Sequence, residues 1–280
     1  MKKQILVASS ALLAIVALIS LFVIAQPGKD SVLATNNKAG NTVVIPPNAV
    51  EVAPDVFSLG TTTNVDGRTV EGYMIIDRKK GFSHKPQHNT GRGNGGATKC
   101  FAFLAKGAKW KTIEPWTVNT ANNEGLNGSF VFNNLGFDIQ KWEDASATNI
   151  LGDGNSTTNT LVVDTSSPDG QNEAYFGDVA DAGAIAVTIV WGIFFGPPSQ
   201  RELVEWDQVY DQVDFDWSST GEAGKMDFEN IATHEIGHSV GMGHPPDECT
   251  EETMYRFADF GETKKRDLNT GDIAGINDLY

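Results

Sequence analysis

Cysteine is nearly absent from this chain. Cys100 and Cys249 are the only two among 280 residues, which limits covalent cross-linking to one bridge between them. Histidine is almost as scarce, with five residues, and three of those fall in the single segment 234–244. Basic residues are outnumbered, 21 Lys and Arg against 36 Asp and Glu. The resulting formal net charge of −15 excludes nucleic acid as a partner, because its phosphates would be repelled. Internal repeats are missing. A hydrophobic content of 40% over this length supports one substantial core with appendages rather than two large domains.

The one long apolar run lies at the N-terminus. Lys2 and Lys3 precede Ile5 to Ala25, broken only by Ser9, Ser10 and Ser20. A helix of that length spans about 30 Å of hydrocarbon, more than the usual signal-peptide core needs, yet Val23 and Ala25 are small enough for cleavage before Gln26. Residues 1–25 are therefore read as a membrane anchor or a signal peptide, and either one sends the remainder out of the cytoplasm. Residues 26–55 read as a polar linker. In residues 56–99, the runs Val56–Leu59 and Val70–Ile76 flank Asp66-Gly67, the pattern of a hairpin. A lone hairpin is marginal in water, so this one is expected to pack on the following domain or to serve as a small prosegment, with a Gly-rich stretch behind it. His84 and His88 sit in that stretch with Pro86 between them, which reads as solvated loop rather than a second metal site.

From residue 100 to 280 the pattern is α+β. Strands are expected at Pro115–Asn119, Leu161–Asp164, Ala182–Trp191 and Leu203–Tyr210. Val131, Leu135, Ile139 and Trp142 recur at helical spacing, with Phe130 and Phe137 off that face. A second helix is expected from Asp227, an acceptable N-cap, with Phe228, Ile231, Ala232 and Ile236 facing the core. Thr270 is a plausible cap for a last helix carrying Ile273, Ile276 and Tyr280.

The second helix runs into His234-Glu235-Ile236-Gly237-His238-Ser239-Val240-Gly241-Met242-Gly243-His244. Residues four apart share a helix face, so His234 and His238 can aim imidazole nitrogens at one ion about 2.0–2.1 Å away. His244 can join them only if the chain turns sharply, and Gly241 permits such a turn. Three neutral imidazoles with one open position describe a catalytic zinc site. Glu235 lies beside the ion without ligating it.

This segment resembles that of the metzincin metallopeptidases, most of all the matrixin branch. Met254, within Thr253-Met254-Tyr255, resembles their methionine turn, and Leu268 to Tyr280 resembles their last helix. The likeness covers roughly Cys100 to Tyr280. It implies an α+β catalytic domain with a mixed twisted sheet and about three helices, the active-site helix and the methionine turn lying below the zinc. Glu235 is then the general base and acid of peptide-bond hydrolysis. Ile185, Ala186 and Val187 resemble the edge strand along which matrixins align an extended peptide. Val187 stands where a histidine of a structural zinc site would be, which implies one zinc rather than two.

Asp164, Asp169, Asp178, Asp181, Asp207, Asp211, Asp214 and Asp216 fall where matrixins place calcium-binding loops, so Ca²⁺ and a solvated acidic surface are both open readings. Pro245 and Arg256 depart from the family pattern and border the pocket that selects a substrate side chain, so substrate preference does not carry over. Cys100 and Cys249 are expected to pair in an oxidising compartment, against the alternative that Cys100 is a latency thiol. The leading function is a secreted or anchored zinc endopeptidase acting on peptide or protein substrates. The alternatives are a surface binding protein that keeps the fold and an amidase acting on cell-wall peptides.

Overall fold

The computed structural model describes residues 42–82 and 99–280. The expected anchor or signal segment, His84 and His88 lie outside the described residues. The strands are β1 (Thr42–Val43), β2 (Val50–Ala53), β3 (Val56–Thr63), β4 (Thr69–Lys79), β5 (Ala102–Phe103), β6 (Glu114–Asn119) and β7 (Leu151–Thr157). They continue with β8 (Glu173–Val179), β9 (Ala184–Ile193), β10 (Glu202–Asp211), β11 (Trp217–Ser218), β12 (Met226–Asp227), β13 (Met242–Gly243) and β14 (Phe257–Ala258). The helices are α1 (Gly128–Ser146), α2 (Phe228–Ser239) and α3 (Thr270–Leu279).

One mixed sheet runs in the order β2-β3-β4-β9-β10-β8-β6-β7. It is parallel between β10, β8, β6 and β7, and antiparallel from β10 through β9 to β2. This is the α+β arrangement that the sequence implies. Two expectations, the linker before the hairpin and the strand at Leu161 to Asp164, need correction. Residues 42–53 are not all linker, since β1 and β2 form there. The hairpin β3–β4 packs on the following domain, the first of the two expectations for it, and does so as part of the main sheet, because β4 pairs with β9 from Glu71 opposite Gly192 to Arg78 opposite Ala184. Leu161 to Asp164 forms no strand; the run is held from outside, with Val163 N–H facing the Tyr175 hydroxyl and Asp164 N–H donating to Asp207.

Helix α1 starts where the Asn127 side chain accepts from the N–H groups of Ser129 and Phe130. Its stripe of Val131, Leu135, Ile139 and Trp142 is buried, whereas Phe137 points to solvent. The Trp142 indole donates to the Thr233 carbonyl at 2.9 Å and so sets the spacing of α1 against α2. Helix α2 is capped by Asp227 as expected, and every residue of it except Glu229 is buried. Helix α3 is capped by Asn269 rather than Thr270: Asn269 and Asp272 exchange the two bonds of a capping box. Ile276 and Leu279 face the core there, while Ile273 is exposed.

The sheet buries apolar side chains on both faces. One cluster joins it to the helices through Phe176, Tyr210, Trp217 and Phe228, and the other packs β3 and β4 residues against Val187, Ile189 and Trp191. Cys100 and Cys249 form a disulfide, with Cα atoms 5.5 Å apart across a sequence separation of 149. The latency-thiol alternative is therefore not what this structure contains.

Candidate metal centre

Helix α2 ends at Ser239, and Gly241 follows with φ of 101°. A side chain there would be strained by the backbone and would press on the Ala108 carbonyl, so glycine is required for the turn. That turn returns the chain to His244. The His238 Nε2 lies 3.1 Å from His234 Nε2 and 3.1 Å from His244 Nε2. Nitrogens bound at about 2.0–2.1 Å to one tetrahedral zinc stand at nearly that separation, so the three residues fit the ion.

The orientation of each ring is fixed from behind. His234 Nδ1 lies 2.7 Å from the Thr253 carbonyl and His238 Nδ1 lies 2.9 Å from the Met242 carbonyl. Carbonyls only accept, so both rings carry hydrogen on Nδ1 and turn a lone pair inward from Nε2. Burial pushes the His238 pKa down to about 4 and those of His234 and His244 well below the ordinary value. Neutral rings are the ligand form.

Met254 lies under this centre, fully buried beneath Gly237 and Trp142. The turn that carries it is pinned by Asp272, whose carboxylate accepts from Thr253 N–H at 2.7 Å and Met254 N–H at 3.1 Å. Thus α3 supports the floor of the site.

Glu235 is fully buried on α2. The Thr188 hydroxyl on β9 donates to its Oε2, leaving Oε1 without a partner among the described residues. Burial, and then the charge of Asp77, raise its pKa well above the ordinary carboxylate range. Asp77 is a residue the sequence reading missed. It comes from β4, is fully buried, and brings a carboxylate oxygen within 4.8 Å of ligand atoms of both His234 and Glu235. Lys265, also fully buried, faces it at 3.7 Å. An Asp that interrupts the apolar run Tyr73–Ile76 was the available signal, but only strand pairing reveals where it points.

Ile185, Ala186 and Val187 do lie on β9 beside the site. Their expected role as an open edge fails in this structure, because β10 occupies one side of β9 and β4 the other. Arg256 and Pro245 line a cavity of about 760 Å³ that reaches His244. Arg256 is tied to Asp247 by two bonds at 2.7 Å and to Asp55 by one at 2.7 Å.

Of the eight acidic positions singled out in the sequence, Asp164 and Asp207 come together, joined by Glu205. Asp169 stays beside them, its backbone N–H bonding to Asp164 and its charge acting on Asp164 and Glu205, whereas Asp178 accepts from Thr42, Asp181 pairs with Arg78, and Asp211 accepts from the N–H groups of Val213 and Asp214. Asp207 and Glu205 are almost wholly buried, and each keeps one oxygen without a hydrogen bond. Burial raises the Glu205 pKa to about 8 and that of Asp207 well above the ordinary range.

The profile of the family described as Matrixin matches residues 108–280. Among curated relatives, Metalloendoproteinase 1-MMP of Arabidopsis thaliana is 43% identical over 68 residues, 24% of this chain and 18% of that protein. Metalloendoproteinase 2-MMP of the same plant is 29% identical over 148 residues, 50% of this chain and 34% of that protein. Matrilysin of Homo sapiens is 39% identical over 64 residues, 23% of each. The chain thus spans no more than 34% of the length of any of these three relatives.

Proposed function

From the premise that this chain belongs to the matrixin family, we propose that it is a zinc-dependent endopeptidase that cleaves extracytoplasmic peptides or proteins. The observation that carries the reading is the convergence of three Nε2 atoms beside the carboxylate of Glu235, the residue that follows the first ligand on α2. His234, His238 and His244 hold the zinc. When bound, the ion supplies Lewis acidity that lowers the pKa of water to about 7 and polarises a carbonyl. Glu235, steadied through Oε2 by Thr188, accepts the proton of the attacking water on Oε1 and passes it to the leaving amine.

Export is supported by the apolar run after Lys2 and Lys3 and by the disulfide. Residues 1–25 act as anchor or signal. Asp164, Glu205 and Asp207 hold a second, hard cation such as Ca²⁺, supported by their oxygen donors and by the buried oxygens that lack a hydrogen-bond donor.

The test is Glu235→Ala in purified protein. It retains one zinc per chain and loses at least about 10²-fold in cleavage of a peptide library. Undiminished cleavage in that variant removes Glu235 from the mechanism.

A further inference from the structure

Main-chain carbonyls hold the His234 and His238 rings from behind, but nothing equivalent holds His244. Its Nδ1 has no hydrogen-bond partner among the described residues; the Pro54 main chain approaches it without a bond of ordinary geometry. It is also the one ring of the three that is partly accessible. His238 and His234 inherit their places from α2, whereas His244 lies beyond the helix, past the Gly241 turn. Its position is therefore set through the backbone of residues 241–249.

That stretch is stitched to residues 100–104 on both sides of His244. Before it, β13 pairs antiparallel with β5, Met242 opposite Phe103 and Gly243 opposite Ala102, and Leu104 N–H donates to the Gly241 carbonyl at 3.0 Å. The two strands approach closely, since a Cβ on Gly243 would lie 3.1 Å from the Phe103 carbonyl carbon. After His244, Pro245 and Pro246 restrict the backbone. Cys249 N–H then donates to the Pro246 carbonyl at 2.9 Å, and its sulfur is bonded to Cys100. The Cys100 end is itself backed by α3. A Cβ on Gly271 would lie 2.1 Å from the Cys100 carbonyl oxygen, and one on Gly275 would lie 2.8 Å from the Phe101 side chain. Asp247 adds a tie to Arg256, but its carboxylate is 60% exposed and such a pair contributes little.

We propose that Cys100 and Cys249 are positioning residues for the third metal ligand, their bridge closing the ladder of β5 and β13 into a ring that fixes the backbone on both sides of His244. This rests on the zinc reading of the same site. A disulfide acts mainly by removing conformations that the open chain would visit. Here the conformations removed are those in which residues 244–249 swing away from α2 and His244 Nε2 leaves its place 3.1 Å from His238 Nε2. His234 and His238 share one helix and keep their carbonyl partners without the bridge. The chain lacking it is thus a two-imidazole site that exchanges its metal.

The test removes both sulfurs in the full-length chain, Cys100→Ser with Cys249→Ser, so that no free thiol competes for metal. Unaltered and double-serine proteins are loaded with Zn²⁺, and the rate at which the chromogenic chelator 4-(2-pyridylazo)resorcinol extracts it is followed. Each is also loaded with Co²⁺, whose visible absorption is strong in four-coordinate sites and weak in six-coordinate ones. The double-serine protein is expected to lose zinc at least about tenfold faster and to show a weaker cobalt band. The same pair is then compared on a His244→Ala background. With that imidazole gone, loss of the bridge is expected to change extraction by less than about twofold, whereas a bridge that only stabilises the fold speeds it equally in both backgrounds. Equal acceleration in the two backgrounds overturns the proposal, as does an extraction rate and cobalt band unchanged by loss of the bridge. If extraction follows the bridge only where His244 is present, while no form cleaves any member of a peptide library, the positioning role stands and the endopeptidase reading falls. Should the double-serine protein fail to fold, phosphine reduction of the bridge in folded, zinc-loaded protein decides through the same two backgrounds, with slow extraction returning on reoxidation as the expected result and a rate indifferent to reduction as the overturning one.

Discussion

Among the described residues, three imidazoles gather around α2 and three carboxylates, those of Asp164, Glu205 and Asp207, gather elsewhere, and the two groups are built by opposite means. The imidazoles come from one segment. Backbone carbonyls orient the His234 and His238 rings, and burial favours the neutral form that a metal needs. They can wait in place for an ion at little cost. The carboxylates come from a loop and from a strand forty residues further on, and burial works against their charge. Without a cation they must hold protons, because the chain supplies too few donors to keep all three charged. Asp272 shows the third option: its carboxylate is equally hidden but accepts three main-chain N–H groups, from Thr253, Met254 and Asn269.

The comparison is broken most directly at the imidazoles. His238→Ala should cost zinc affinity beyond the roughly 10–100-fold that follows loss of an outer partner, and cleavage should fall with it. Metal analysis after gel filtration reads this, and stoichiometric zinc in the variant would mean that the ligands lie elsewhere. By contrast, Glu205→Gln should leave zinc content unchanged.

The carboxylates should announce themselves through pH. Glu205 has its pKa raised by burial from 4.5 to about 8, so between those values the folded chain holds a proton that the unfolded chain has released. Its contribution is fully present below pH 4.5 and is lost as pH rises through 8, a change on the order of a few kcal/mol. Melting curves without Ca²⁺ should therefore drop across that window. Added Ca²⁺ or Glu205→Gln should flatten the drop, and an unchanged slope in both would remove the cluster as a cation site.

Smaller effects probe how the chain props the imidazoles. At Gly237, an added Cβ would lie 2.2 Å from the Met254 sulfur and 2.7 Å from the Trp142 ring. Gly237→Val should cost about 1–3 kcal/mol by overpacking and weaken zinc binding, read by chemical denaturation of apo and zinc-loaded protein. Asn269→Ala removes one half of the capping box that holds Asp272 in place. About 1 kcal/mol is expected, with zinc stoichiometry intact. Loss of zinc there would show that the floor of the site is less independent than its hydrogen bonds indicate.

The helices were legible wherever a periodic stripe and a cap coincide: Val131 to Trp142 and the Asp227 cap are local signals, and local geometry satisfies them. Asn269 was passed over for its neighbour because a cap one residue away carries nearly the same pattern. Strands β7 and β8 were missed. Leu151–Thr157 is mostly polar because it is the sheet's edge, and Glu173–Val179 carries two acidic residues and a glycine within a largely buried run. Leu161 to Asp164 has a strand's composition, yet its N–H groups find side chains instead of a neighbouring strand.

The sequence by itself determined that three imidazoles and the Glu235 carboxylate would meet, since His234, Glu235 and His238 share one helix and Gly241 makes the turn that returns His244 to them. The pairing of the two cysteines was an expectation from the sequence, and the fold is what brings their Cα atoms to 5.5 Å. Only the tertiary structure decided that Ile185 to Val187 would not be an open edge, that Asp77 would face Glu235, and that Glu205 would join Asp164 and Asp207. Each of those depends on which strand lies beside which and in what register. A shift of one residue would turn Asp77 to the other face of the sheet, and nothing within β4 itself records the partner that prevents it.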